Sequence, residues 1–95
     1  MSRPLVKENS VEQELVKRVR ALGGRCEKMA LQGRRGFPDR LVILPGGRMI
    51  LCECKRPVGG RLSPHQISLH AIYKTLGVRI VICRNSADID NLLKN

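Results

Sequence analysis

The chain has 95 residues, 42% of them hydrophobic, with one Phe, one Tyr and no Trp, and a formal net charge of +10. That length makes one compact domain, residues 1–95, and the hydrophobic share excludes a chain too polar to fold. The basic excess points to a polyanionic partner, nucleic acid ahead of an anionic membrane surface.

Residues 1–8 carry Arg3, Pro4 and Lys7 without apolar periodicity and read as a loose arm. Asn9 or Ser10 can cap a helix over residues 11–22, with acids in its first turn and Gly23-Gly24 as its stop. At about 100° per residue, Val11, Leu15, Val19 and Leu22 fall on one stripe, with Val16 at its flank. Glu12 projects on that apolar side, whereas Glu14 projects opposite, among Lys17 and Arg18, where water can solvate it. Residues 25–31 read as a short strand, and Gln32-Gly33-Arg34-Arg35-Gly36 as a basic loop running into Phe37-Pro38.

Leu41–Leu44 and Met49–Cys52 are rich in strand formers, and Pro45-Gly46-Gly47 separates them, which predicts a β-hairpin. The start of its first strand then lies beside the end of its second. Asp39 thereby comes near Glu53 and Lys55, which share a face because strand side chains alternate, while Cys54 takes the other face. Two acids and a lysine at one end of an apolar hairpin are costly to hold together unless something uses them. A divalent cation would do so.

Arg56–Leu62 is a basic, glycine-containing linker. Ser63-Pro64-His65-Gln66 starts a helix with Ser at the N-cap, Pro at N1 and Gln at N3, the capping-box arrangement. That helix runs to Leu76 and stops at Gly77, with Leu69, Ile72, Tyr73 and Leu76 as its apolar stripe. His65 and His70 have no acidic neighbour at ligand spacing and read as solvated. Val78–Cys83 is an apolar strand, and residues 86–94 a short final helix capped by Ser86. The order α-β-β-β-α-β-α predicts an α/β fold, a mixed central sheet flanked by helices.

The cysteines Cys26, Cys52, Cys54 and Cys83 form no C-x-x-C pair, so a zinc ribbon is excluded on spacing. Buried, reduced thiols are expected. No apolar stretch reaches membrane-span length, and no apolar signal-peptide core opens the chain, so the expected location is the cytoplasm.

Pro38-Asp39 followed one hairpin later by Glu53-x-Lys55 resembles the PD-(D/E)xK nuclease signature. The surroundings narrow the resemblance. Glu12 lies on a helix ending in Leu22-Gly23-Gly24. The Gly-Arg-Arg-Gly-Phe-Pro-Asp segment, Arg61-Leu62-Ser63-Pro64-x-Gln66 and Leu76-Gly77 follow. Together, over residues 10 to about 85, they are similar to the VRR-NUC family in its stand-alone bacteriophage form. The resemblance implies a restriction-endonuclease-like α-β-β-β-α-β core. It implies Mg²⁺ or Mn²⁺ on Asp39, Glu53 and the backbone carbonyl of Cys54, with Glu12 completing the cluster. Lys55 would orient or help deprotonate the attacking water. Gln66 would hydrogen-bond a water, Lys55 or a phosphate oxygen. It also implies phosphodiester hydrolysis in branched DNA, as in Holliday-junction resolvases, by a homodimer.

Arg34, Arg35, Arg56 and Arg61 flank the site in sequence and are the expected phosphate contacts. The scarcity of aromatic residues leaves no platform for stacking bases, so readout should be of backbone and shape. Two other readings share these features: a non-catalytic nucleic-acid-binding module, and a nuclease directed at flaps or nicks.

Overall fold

The structure is a computed structural model and describes residues 8–30, 32–33 and 35–94. Its elements are α1 (Glu8–Ala21), β1 (Arg25–Lys28), β2 (Arg40–Leu44), β3 (Arg48–Cys54), α2 (Pro64–Thr75), β4 (Ile80–Cys83) and α3 (Ser86–Leu93). The α/β order expected from the sequence is the order observed. The four strands form one sheet in the order β1-β2-β3-β4, the first three antiparallel and β4 parallel to β3. A parallel neighbour requires a crossover, and α2 supplies it.

The loop of the β2–β3 hairpin is Pro45-Gly46-Gly47, closed by the Gly47 N–H donating to the Leu44 carbonyl at 3.1 Å. Gly46 and Gly47 both have positive φ, 90° and 82°, which glycine adopts without a Cβ clash. Leu44 pairs with Arg48, and Arg40 with Cys52 at the open end.

One face of the sheet carries Val42, Leu44, Ile50, Cys52, Cys54 and Cys83, packed on Val11, Leu15 and Val19 of α1 and on Ile89 and Leu92 of α3. Each fully buried aliphatic side chain here contributes roughly 1.5–3 kcal/mol. The α1 stripe is as predicted through Val19, but Leu22 lies beyond the helix and is exposed. The opposite face carries Leu41, Ile43, Leu51 and Glu53. It stays partly open, with Met49 57% exposed.

Several boundaries move for identifiable reasons. Glu8, Asn9 and Ser10 are all helical, so neither Asn9 nor Ser10 is the cap. Extending a helix already docked through Val11 costs less than starting it later. The expected arm therefore excludes Glu8, and its other residues lie outside those described. β1 ends at Lys28 because pairing with β2 stops at Lys28–Arg40, and Met29 N–H then donates to the Asp39 carbonyl at 2.7 Å.

β4 begins at Ile80 rather than Val78 because the Val78 N–H is used to close α2. Gly77 and Val78 donate to the Lys74 and Tyr73 carbonyls at 3.0 and 3.1 Å, a Schellman ending. The cap of α3 is Asn85, whose side chain accepts from the Asp88 N–H at 2.9 Å, and not Ser86.

The cysteines are free thiols, three buried and Cys26 half-buried. The Cys52 sulfur lies 3.2 Å from Cys83 and 4.0 Å from Cys54. Hydrogen bonding to these neighbours, with burial, pushes the Cys52 thiol up, while burial raises Cys26 to about 11. A raised thiol stays protonated and apolar, which suits Cys26 and Cys52 to the packing around them. Among the described residues, no helix is long and apolar enough to cross a membrane.

Candidate active site

The hairpin register places Asp39 and Glu53 one step beyond the last pair, Arg40–Cys52, at the open end. Asp39 Oδ2 accepts the Cys54 N–H at 3.0 Å. The acid thus closes the hairpin mouth through its side chain and ties β1's exit through its carbonyl.

The segment before Asp39 is held against α2. Phe37 meets Tyr73 edge-on, ring centroids 5.8 Å apart, and Pro38 is buried. Gly36 has φ +86°, and a Cβ there would lie 2.6 Å from the His65 backbone carbonyl. No other residue type allows this approach without movement. Gly36→Ala should therefore lower thermal stability by about 1–3 kcal/mol and displace Asp39. A melting curve equal to wild type would show that the loop is not pinned as described.

Glu53 is 1% exposed. Burying a carboxylate without compensation is prohibitive, and α2 and β3 provide it. Gln66 Nε2 donates to Glu53 Oε2 at 3.0 Å, and Lys55 Nζ lies 4.0 Å from the same oxygen. Gln66 also completes the expected capping box: its Oε1 accepts from the Ser63 N–H at 2.8 Å, and its N–H donates to Ser63 Oγ at 3.1 Å. Capping and site contact thus coexist in one side chain. Among the described residues the contact is to Glu53, not to Lys55. The Lys55 N–H donates to the Cys83 carbonyl at 3.0 Å, so the end of β3 is fixed against β4.

His70 was expected in solvent; it is 4% exposed, with Nε2 3.5 Å from Glu53 Oε1. Burial, with Lys74 and Lys55 next, holds the imidazole below the usual histidine range, against the pull of Asp39. The missed signal was spacing: His70 follows Gln66 by four residues and must share its face. Docking through that face turns α2. Ile72 and Leu76, expected in the apolar stripe, are 51% and 73% exposed.

Glu12 lies on the core side of α1 as predicted, where its Oε2 accepts from Arg40 Nε at 2.7 Å. Glu14 is not simply solvated. It accepts the Ser86 hydroxyl at 2.9 Å and an Arg18 N–H at 3.4 Å, linking α1 to α3.

Arg34 lies outside the described residues, and Arg35, Arg56 and Arg61 are exposed. Other basic residues serve the fold. Arg48 and Arg79 donate to the last carbonyls of α3, from Asn91 to Lys94, and Arg84 to the Gly60 carbonyl. The last turn of a helix leaves carbonyls short of intrahelical donors, and at α3 the Arg48 and Arg79 guanidiniums supply them.

Among the described residues no group of three or more His, Cys, Asp or Glu side chains is placed to hold a metal ion. Asp39 and Glu53 offer hard oxygen ligands at one end of the hairpin. Such a pair suits Mg²⁺, which takes one or two carboxylates and completes its octahedron with waters and phosphate oxygens.

A mixed sheet with an acid at the hairpin entrance and Glu-x-Lys at its exit is the arrangement of PD-(D/E)xK nucleases. No family model matches the chain. A protein of Acyrthosiphon pisum secondary endosymbiont phage 1 named "Putative nuclease p44" is 43% identical over 89 residues, covering 94% of each chain. A solved structure described as a VRR_NUC domain superposes with a TM-score of 0.84 at 32% identity, over 90% of this chain and 92% of that one. The chain belongs to the VRR-NUC family of nucleases.

Proposed function

We propose that this protein is a Mg²⁺- or Mn²⁺-dependent endonuclease that hydrolyses phosphodiester bonds in branched DNA, with four-way junctions as the leading substrate. The observation that supports this reading is the hairpin mouth, where Asp39 accepts the Cys54 N–H beside buried Glu53 and the Lys55 ammonium lies 4.0 Å from the Glu53 carboxylate. A bound divalent ion would supply Lewis acidity toward the phosphate and acidify a water. Asp39, Glu53 and the Cys54 carbonyl would hold it. Lys55 would orient the attacking water and balance charge as the phosphorane-like geometry develops. Gln66 keeps Glu53 in place. Glu12 gives Oε2 to Arg40, so a part in a second ion's site would fall to Oε1 or need that bond released.

Arg35, Arg56 and Arg61, with Arg34, would grip the DNA backbone against the repulsion of the site's own acids. The direct test is cleavage of four-way, flap, nicked and linear DNA with Mg²⁺, with and without EDTA. Cleavage of the junction that EDTA abolishes is expected, with affinity falling steeply as salt rises. Binding without cleavage under all metal conditions would leave only a nucleic-acid-binding module.

Two symmetric cuts in a four-way junction require a two-fold dimer. The final helix is a poor interface because Ile89 and Leu92 are fully buried within the chain. The exposed Ile72, Leu76 and Val78 at the end of α2 support an interface there instead. Light scattering should give twice the 10.6 kDa chain mass; a monomer at all concentrations would remove the dimer from the mechanism.

A further inference from the structure

We infer that His70 is a positioning residue for Glu53, and that Gln66 and His70 together clamp the carboxylate in the one orientation that presents it to a divalent cation. The inference rests on the nuclease reading above and deepens it. α2 aims two side chains, four residues apart, at the two oxygens of one buried carboxylate. Gln66 Nε2 donates to Oε2 at 3.0 Å, and His70 Nε2 stands 3.5 Å from Oε1. A small closing movement converts the second contact into a hydrogen bond, and such bonds commonly tighten when the metal and substrate arrive.

A merely structural role accounts poorly for this imidazole. It is 4% exposed, and among the described residues its Nδ1 has no hydrogen-bond partner. Burying an unsatisfied polar nitrogen costs stability that an aliphatic side chain of similar size would not. The position is therefore suboptimal for folding and suited to steering Glu53. Groups that orient metal ligands from behind act this way, and removing one typically lowers metal affinity or activity by about 10–100-fold.

The test uses the full chain with His70→Leu, His70→Gln and His70→Asn. His70→Leu should keep or raise the melting temperature. It should raise the Mn²⁺ concentration at half-saturation, read by electron paramagnetic resonance without DNA. It should lower kcat by about 10–100-fold with KM for DNA nearly unchanged. The Gln side chain places an amide nitrogen near the position of Nε2, whereas Asn falls short. His70→Gln should therefore recover much of both metal affinity and kcat, and His70→Asn should not.

If His70→Leu fails to fold, the Gln and Asn variants decide, because both remain polar and they differ in reach. Wild-type Mn²⁺ affinity and kcat in His70→Leu, or equal values in the Gln and Asn variants, would overturn the inference. Asp39→Asn is run beside them. If wild type itself shows no metal-dependent cleavage, the nuclease reading has failed; if wild type cleaves and the His70 variants match it, the positioning role alone has failed.

Discussion

Asp39→Asn should abolish metal-dependent cleavage, by at least about 10²–10³-fold, while leaving the melting temperature unchanged. The two consequences separate because Asp39 has two tasks. Its carboxylate charge would bind the cation, which an amide oxygen does weakly. Its Oδ2 also accepts the Cys54 N–H at 3.0 Å, which an amide oxygen can still do. Asp39→Ala removes both and strands a backbone donor beside a buried strand, so it should additionally cost roughly 1–3 kcal/mol. The stranded Cys54 donor sets the sign of the stability change, against any relief of repulsion between clustered acids. Cleavage assays and melting curves on the two variants check this together. Full activity in Asp39→Asn would remove Asp39 from the metal site, and equal melting of the Asn and Ala variants would deny the Cys54 bond its structural weight.

Lys55→Met should lower the cleavage rate by about 10²–10³-fold and DNA affinity little. Methionine retains the length and apolar stem that a half-buried position needs, so packing is largely preserved. What disappears is the ammonium 4.0 Å from Glu53 Oε2. In the free protein that charge helps compensate a buried carboxylate, and a divalent ion could take over the task when bound. Adding Mg²⁺ should therefore raise the melting temperature of Lys55→Met more than that of wild type. Single-turnover rates, DNA binding with Ca²⁺ in place of Mg²⁺, and thermal melts distinguish the outcomes. A parallel loss of rate and affinity would reduce Lys55 to an ordinary phosphate contact.

Local signals carried much of the reading of this chain. The hairpin followed from two strand-forming runs around Pro45-Gly46-Gly47, and the α2 start followed from Ser63-Pro64 with Gln66 at N3. Where a residue obeys a rule acting over four or five neighbours, the sequence is a sufficient guide. The hairpin even carried a nonlocal fact, because antiparallel pairing converts a tight turn into adjacency of distant ends. That is how Asp39 and Glu53 could be placed together.

The errors arose where packing between elements chose among local options. The stripe proposed for α2 included Ile72 and Leu76, yet hydrogen bonding of Gln66 to buried Glu53 turns the helix and leaves both exposed. His70 was assigned to solvent because its partner lies across a strand-to-helix contact that periodicity cannot express. Glu14 looked free until α3 brought Ser86 to it. The basic excess by itself does not show which cations serve the fold: Arg48 and Arg79 are committed to carbonyls at the end of α3.

By itself the sequence determined the element order, the hairpin and the position of Asp39 and Glu53 at its open end, since alternation, turn chemistry and capping are short-range effects. The tertiary structure alone decided which face of α2 is buried, which arginines are occupied and how Glu53 is held. Those outcomes depend on desolvation and hydrogen-bond satisfaction between segments far apart in the chain, and no local pattern encodes them.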